Sequence, residues 1–261
     1  MTLATENWGI GITLAVLGLA IGSFLNVVIH RVPRNLSVIR PRSSCPQCRR
    51  TLAPVENIPV LSWMLLRGRC RGCETPISFR YPLVELGTAI CFVATFARFG
   101  RDWILLPFEL GVAGMIALAV IDAENLVLPK RIVWLHLGLV ASTMATVAIT
   151  THRLSALGTA AGVAIVWCGA FFAINAAAPR LLGFGDVRYS LVLGLLLGWI
   201  SIPTALVGYF LANLVGVLVT MVLLGLKKTT RDTPLPYGTY LSVGTMLGIW
   251  FGADLLHAIG H

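Results

Sequence analysis

The sequence predicts an all-α polytopic membrane protein of about eight transmembrane helices, interrupted by one small cysteine-bearing insertion. Three observations carry this expectation. Hydrophobic residues make up 57% of the 261-residue chain and charged residues only 12%, against about 25% charged in soluble domains. Eight apolar stretches approach or exceed the length needed to cross a hydrocarbon core about 30 Å thick. Basic residues crowd into alternate connections between these stretches, as the positive-inside rule requires. A soluble helical bundle would instead show a polar face on most of its helices.

The expected spans are 8–30, 82–99, 103–121, 128–150, 154–178, 187–201, 203–226 and 238–257. The segment before the first, MTLATEN, contains no Lys or Arg. The apolar run after it continues past the length of a secretory signal core, so it reads as a retained helix. The sixth span is short and depends on its neighbours for depth. All connections are short except 31–81. Three parts result: a first transmembrane helix (1–30), a cytoplasmic insertion (31–81) and a seven-helix membrane core (82–261).

The net charge is +9, which by itself would also suit nucleic acid. Its distribution points to the membrane. Region 31–81 holds ten arginines, loop 122–131 holds Lys130 and Arg131, loop 179–188 holds Arg180 and Arg188, and loop 227–236 holds Lys227, Lys228 and Arg231. Only Arg98, Arg101 and Arg153 fall in the opposite set of loops. The rich set is therefore cytoplasmic and both termini are expected outside. The ten arginines of the insertion suit anionic lipid headgroups, and no nucleic-acid partner is expected.

The insertion carries CPQC at 45–48 and CRGC at 70–73. Two CxxC loops at this separation match a four-thiolate zinc site made by Cys45, Cys48, Cys70 and Cys73. Disulfides are disfavoured in the cytoplasm, and about fifty residues build little core, so a metal staple has a physical purpose. Four thiolates leave no open position for water, so the ion would be structural. A redox pair or buried free thiols are the alternatives. Cys91 and Cys168 fall within spans and read as small buried hydrophobes.

Among the eleven acidic residues, Glu6, Glu56, Glu74, Asp102, Asp232 and Asp254 lie in loops or near ends, where solvated or interfacial carboxylates are expected. Glu85 and Glu109 lie in spans, where an ionisable group is costly and functional by default. Asp122 ends the third span in ALAVIDAENLVLP, and Asp186 begins the sixth in LLGFGDVRYS. Both are expected at the cytoplasmic ends of their helices, at similar depth. Two facing carboxylates that hold one proton between them can hydrolyse a peptide bond. One takes a proton from water while the other donates to the carbonyl oxygen. Gly183 and Gly185 allow positive φ and close backbone approach, so an extended substrate could lie against this segment. The alternative is a capped helix start with Asp186 as the N-cap.

Together these residues resemble the type IV prepilin peptidases, a family of GxGD intramembrane aspartic proteases. The motifs are GSFLNVVIHRVP (22–33), the two CxxC pairs, PVENIPVLSWMLLRGRCRGC (54–73), ISFRYPLVEL (77–86), DAENLVLP (122–129), GFGD (183–186) and TPLPYGTYLSVG (233–244). The resemblance implies a bifunctional enzyme of the bacterial inner membrane. Such enzymes remove the basic leader from type IV prepilins and type II secretion pseudopilins at the cytoplasmic face. Many then N-methylate the new terminus with S-adenosylmethionine. Asp122 and Asp186 would be the catalytic pair. Asn26, Arg31, Glu56, Arg80 and Glu85 are the candidates for holding the methyl donor, with a purely structural role as the alternative for each. Lys130, Arg188 and PYGTY depart from the usual family pattern; the first two keep or add positive charge and do not touch the aspartates. A transporter with carboxylate proton relays and a zinc-bearing membrane adaptor are the competing classes.

Overall fold

The computed structural model describes residues 2–179, 182–228, 230 and 233–259, and the side chains of 8–179, 182–228, 230 and 233–258. Arg180, Arg231 and Asp232, counted above, lie outside the described residues, as does the side chain of Glu6. The chain forms two compact units, Met1–Gly100 and Arg101–His261. The described residues form nine α-helices and no β-strand beyond two isolated bridges.

In the first unit, α1 (Thr2–Arg31) and α3 (Arg80–Phe99) flank the insertion, which contains the short α2 (Leu61–Leu65). The two long helices pack backbone to backbone through glycines of α1. A Cβ on Gly18 would come 2.6 Å from Ala89 Cα, and one on Gly22 would come 2.7 Å from Glu85 Cα. In lipid, helices associate through such close contacts because no hydrophobic gain separates helix from tail.

The second unit contains α4 (Leu105–Asn125), α5 (Lys130–Thr150), α6 (Leu154–Ala177), α7 (Phe184–Ile200), α8 (Ile202–Gly225) and α9 (Tyr237–Ile259). Small residues again set the pairs. A Cβ on Gly194 of α7 would come 2.6 Å from Ala164 Cα of α6, and one on Gly244 of α9 would come 2.2 Å from the Ala212 nitrogen of α8. Among the described residues, seven helices are long and apolar enough to cross a membrane: α1, α3, α4, α5, α6, α8 and α9. The sixth expected span, α7, has 17 residues, about 26 Å of rise. Twelve of them are buried, so neighbouring helices rather than lipid surround it. By contrast α8 exposes Leu206, Phe210 and Met221 on its outer face.

Helices α4 and α7 differ from the expected spans at the ends that carry the aspartates. Helix α4 continues one turn past the expected end and stops where Leu126 adopts φ 55° and its amide bonds Asp122 O. Helix α7 starts at Phe184, ahead of the expected 187. Asp122 and Asp186 therefore sit inside regular helix, one in a last turn and one in a first turn.

Candidate active site and candidate metal centre

The two aspartates are held on different helices of the same unit, and both are buried. They lie close enough for the charge of Asp122 to act on Asp186. Asp122 Oδ2 accepts the backbone amide of Thr239 at 3.0 Å. The Thr239 hydroxyl lies 3.4 Å from the same oxygen but donates at 2.8 Å to Ala119 O. Thr239 belongs to the first turn of α9, and its amide is shared between Asp122 Oδ2 and Pro236 O, the latter at 3.1 Å; first-turn amides have no partner four residues back in the helix and so are natural donors to a carboxylate.

Leu128, in the connection between α4 and α5, packs between the two sides of the site. A Cβ on Gly185 would come 3.0 Å from Leu128 Cβ, and one on Gly238 would come 3.0 Å from Leu128 Cδ1 and 3.1 Å from Asp122 Oδ2. One turn further into α7, the Tyr189 hydroxyl pairs with Ser242 Oγ at 2.7 Å. Ser242 in turn donates to Gly238 O at 2.8 Å. These bonds fasten the Asp186 helix to the α9 turn that holds Asp122.

The glycines act differently from the expectation. Gly183 is the extended N-cap of α7, at φ −71° and ψ 146°. Gly185 lies inside the helix, and neither glycine adopts positive φ. Their small size serves close approach, to Asp186 Oδ2 at Gly183 and to Leu128 at Gly185. Asp186 is not the N-cap, because that position belongs to Gly183.

In the insertion, the thiol sulfurs of Cys45, Cys48, Cys70 and Cys73 all lie within 4.8 Å of one another. Cys45 and Cys73 are 3.7 Å apart, and Cys48 and Cys70 are 3.9 Å apart. A tetrahedral zinc with bonds of about 2.3 Å sets its sulfurs about 3.8 Å apart, so the four thiols fit this ion. The two loops repeat each other. Arg49 N bonds Cys45 O and Cys45 N bonds Arg50 O, just as Glu74 N bonds Cys70 O and Cys70 N bonds Thr75 O. Arg49 and Glu74 share a positive φ, and the bridges Ser44–Thr51 and Arg69–Pro76 close the two loops alike. No repeat was legible here beyond the cysteines, since the pattern is carried by backbone bonds.

The thiols differ electrically. The Thr75 hydroxyl and amide hold Cys73 down at about 6, and the amides of Cys73 and Gly72 hold Cys70 below the ordinary thiol range. Cys48 accepts the Arg50 amide, which favours its thiolate, yet desolvation and the three surrounding thiols push it up to about 11. Four sulfurs this close ionise together only beside a cation.

The expected methyl-donor residues are engaged within the first unit. The Asn26 amide donates to Tyr81 O at 3.1 Å. Arg31 donates to Ser37 O and Pro41 O at 2.9 and 2.8 Å. Glu56, expected to be solvated, is buried and pairs with Arg50 at 2.5 Å and with the Ala53 amide at 2.8 Å. Glu85 is buried and accepts the Val60 amide at 2.7 Å. The Arg80 guanidinium lies over the Tyr81 ring at 5.0 Å. Glu109, in α4, is buried with no hydrogen-bond partner for either oxygen.

Residues 16–99 match the bacterial peptidase A24 N-terminal domain, and residues 110–225 match the type IV leader peptidase family. The chain is 33% identical over 264 residues to the prepilin leader peptidase/N-methyltransferase of Aeromonas hydrophila, covering 91% of this chain and 89% of that one. It is 34% identical over 244 residues to the protein of the same name from Bacillus subtilis, covering 93% and 95%. A Myxococcus xanthus relative of that name is 40% identical over 218 residues, covering 81% of this chain and 62% of its own length. No solved structure matches the chain. Matched over both units and along nearly the full length of two of these relatives, the chain belongs to the type IV leader peptidase family and is a protease of the membrane.

Proposed function

We propose that this protein is an aspartic endopeptidase of the bacterial inner membrane that removes the basic leader of type IV prepilins or pseudopilins, with Asp122 and Asp186 as its catalytic pair. The observation that carries this reading is the burial of two carboxylates on separate helices of one unit, with the charge of Asp122 reaching Asp186 and Asp122 itself bonded by the Thr239 amide. With Oδ2 of Asp122 held, Oδ1 is the oxygen left to work on water. In the working cycle one carboxylate removes a proton from water. The other, protonated, gives its proton to the scissile carbonyl oxygen, and the pair then returns a proton to the leaving amine. Burial keeps bulk water from screening the pair.

The distribution of Lys and Arg supports a cytoplasmic location for the aspartates and the insertion, with both termini outside. Cleavage there suits a bond just outside a substrate's transmembrane helix. Segments 1–30, 31–81 and 82–261 would then be a first span, a cytoplasmic insertion and a membrane core. The ten arginines of 31–81 favour contact with anionic lipid, and their confinement to membrane loops supports no role for nucleic acid.

Zinc at Cys45, Cys48, Cys70 and Cys73 would be structural and would lock the two loops together. The names of the relatives include N-methyltransferase, and we extend that activity to this chain, with S-adenosylmethionine as donor. When bound, it would supply an electrophilic methyl group for the newly freed amine.

The test is mass spectrometry of a prepilin N-terminus after incubation with the detergent-solubilised protein and S-adenosylmethionine. Wild type is expected to yield a leaderless, methylated terminus, while Asp122→Asn and Asp186→Asn leave the precursor intact. Cleavage by either folded variant would remove that residue from the pair, and cleavage without methylation would remove the second activity.

A further inference from the structure

The short helix α2 (Leu61–Leu65) has an apolar face that the described residues leave uncovered. Leu61, Met64 and Leu65 stand at i, i+3 and i+4 and therefore share one side. Each is more than half exposed, Leu65 to 82%. The opposite side is fastened. Trp63 Nε1 donates to Ile77 O at 3.1 Å, the Trp63 ring meets the Phe79 ring edge-on at 5.5 Å, and a Cβ on Gly68 would come 2.9 Å from the indole. Phe79 immediately precedes α3 and is itself exposed. A contiguous apolar patch of this kind marks a contact surface.

One bond fixes the depth of α2 against the spans. At the N-cap of α2, the Val60 amide donates to Glu85 Oε2 at 2.7 Å. Glu85 lies five residues past Arg80, the first residue of α3, or about 7.5 Å along the helix. Its Cα packs on Gly22 of α1, about 14 Å of helix before Arg31, where α1 ends. Glu85 is thus inside the spans of both helices. Its side chain tilts back toward the start of α3 and holds Val60 beside the first turns. Amphipathic helices on membranes bury their apolar side about 5–10 Å into the headgroup and acyl boundary, which is this depth. The turn that delivers α2 there is strained. Val60 has φ 61° and ψ −52°, and Leu61 N bonds Pro59 O at 2.6 Å, closing a three-residue turn that a β-branched residue rarely adopts.

We propose that α2 is an interfacial anchor that docks the cysteine-bearing insertion on the bilayer. Its Leu61, Met64 and Leu65 face lies at the acyl boundary of the leaflet where α1 ends and α3 begins. Lipid is the occupant that the depth requires. At the level of the first turns of α3, where Leu83 and Leu86 are also exposed, a spanning helix is surrounded by headgroups and hydrocarbon. The charge agrees. Arg67 and Arg69 follow α2 directly and are exposed, placed to reach headgroup phosphates while their stems lie along the apolar layer. Trp63 is of a residue type enriched at that boundary. Glu85 is the positioning residue, because it holds the strained turn from which α2 starts. The anchor deepens the lipid contact proposed above and rests on the spanning role of α1 and α3, so it stands or falls apart from the leader-peptidase reading.

Photocrosslinking of the full-length, zinc-loaded protein in lipid nanodiscs tests this. p-Benzoylphenylalanine replaces Leu65 in one protein and Gln47, an exposed residue of the first cysteine loop, in another. In nanodiscs of phosphatidylethanolamine and phosphatidylglycerol, the probe at 65 should form several-fold more lipid adducts than the probe at 47, read by peptide mass spectrometry. It should still do so in phosphatidylcholine alone, because the apolar face makes the contact. Glu85→Ala frees the Val60 turn and should cut the adducts at 65 several-fold with zinc content unchanged. Val60→Gly relieves the strain, keeps the amide that bonds Glu85, and should retain the adducts. Adducts from 65 to another segment of this chain, to a second copy or to an added prepilin would make the face a protein-docking surface and overturn the anchor. Equal lipid labelling from 47 would overturn it too, as would loss of the adducts in phosphatidylcholine, which would leave arginine charge as the tie. Unchanged adducts in Glu85→Ala would overturn the depth assigned to the Val60 bond. Prepilin cleavage by the same samples reports separately on the protease reading.

Discussion

The backbone amide of Thr239 donates to Asp122 Oδ2 at 3.0 Å across 117 residues of sequence. The Thr239 hydroxyl has one proton, and its 2.8 Å acceptor is Ala119 O, so the amide is what holds the carboxylate. Thr239→Val should therefore cost little, under about 1 kcal/mol in kcat/KM. Thr239→Pro removes the amide from the first helical turn, where a proline ring is tolerated. It should lower kcat/KM about 10- to 100-fold, the value of a bond to a charged group. A cleavage assay on a synthetic prepilin decides this, and equal effects of the two variants would show that the side chain matters and the amide does not.

Leu128 separates the roles of two glycines. Its Cβ faces Gly185, whereas its Cδ atoms face Gly238. Gly185→Ala and Gly238→Ala should each destabilise the second unit by about 1–3 kcal/mol through overpacking. Leu128→Ala removes the Cδ atoms and keeps the Cβ. It should relieve Gly238→Ala in part, leaving the crowding against Asp122 Oδ2, and should not relieve Gly185→Ala. Thermal unfolding of the single and double variants tests the difference, and equal rescue of both would refute this packing account.

Much of this architecture was legible in the sequence because bilayer thickness and loop charge are strong constraints. Span lengths depend on one physical dimension, and the cysteine spacing on the reach of a short loop around an ion. The helix ends were harder. Hydropathy falls at Asp122 and Asp186, so the spans seemed to stop there, yet the helices run past both carboxylates once neighbours cover them. The glycines of GFGD suggested backbone freedom, whereas they provide space, which depends on Leu128 from another segment. Thr239 could not be singled out, because a backbone amide leaves no mark on residue type. The expected methyl-donor residues were polar and near the insertion, but bonds such as Arg50–Glu56 and Asn26–Tyr81 depend on tertiary placement.

Zinc should be present at one ion per chain, by elemental analysis of the purified protein. A strong chelator should make 31–81 sensitive to limited proteolysis, because these residues close two loops chiefly around the four sulfurs. Helices α4–α9 should stay resistant, since their packing lies within the second compact unit. Cys73→Ser should reproduce the effect without chelator. Protein purified free of metal, with 31–81 still protected, would exclude a structural metal.

Acid should loosen the first cysteine loop through Glu56. The Ala53 amide, followed by Arg50, holds the Glu56 carboxyl below its ordinary value. A group depressed in the folded state adds stability above its unfolded pKa, about 4.3, and loses it as pH falls through the folded value. Glu56→Gln has no such titration. The wild-type loop should thus be more protected than the variant at pH 6–7, and the difference should shrink steadily below about pH 4. Zinc release also responds to acid through the thiolates, in both proteins alike, so the difference between them isolates Glu56. Hydrogen exchange over 43–57 at several pH values provides the measurement, and a wild-type–variant gap that stays constant into acid would show that the Glu56 charge contributes nothing to holding this loop.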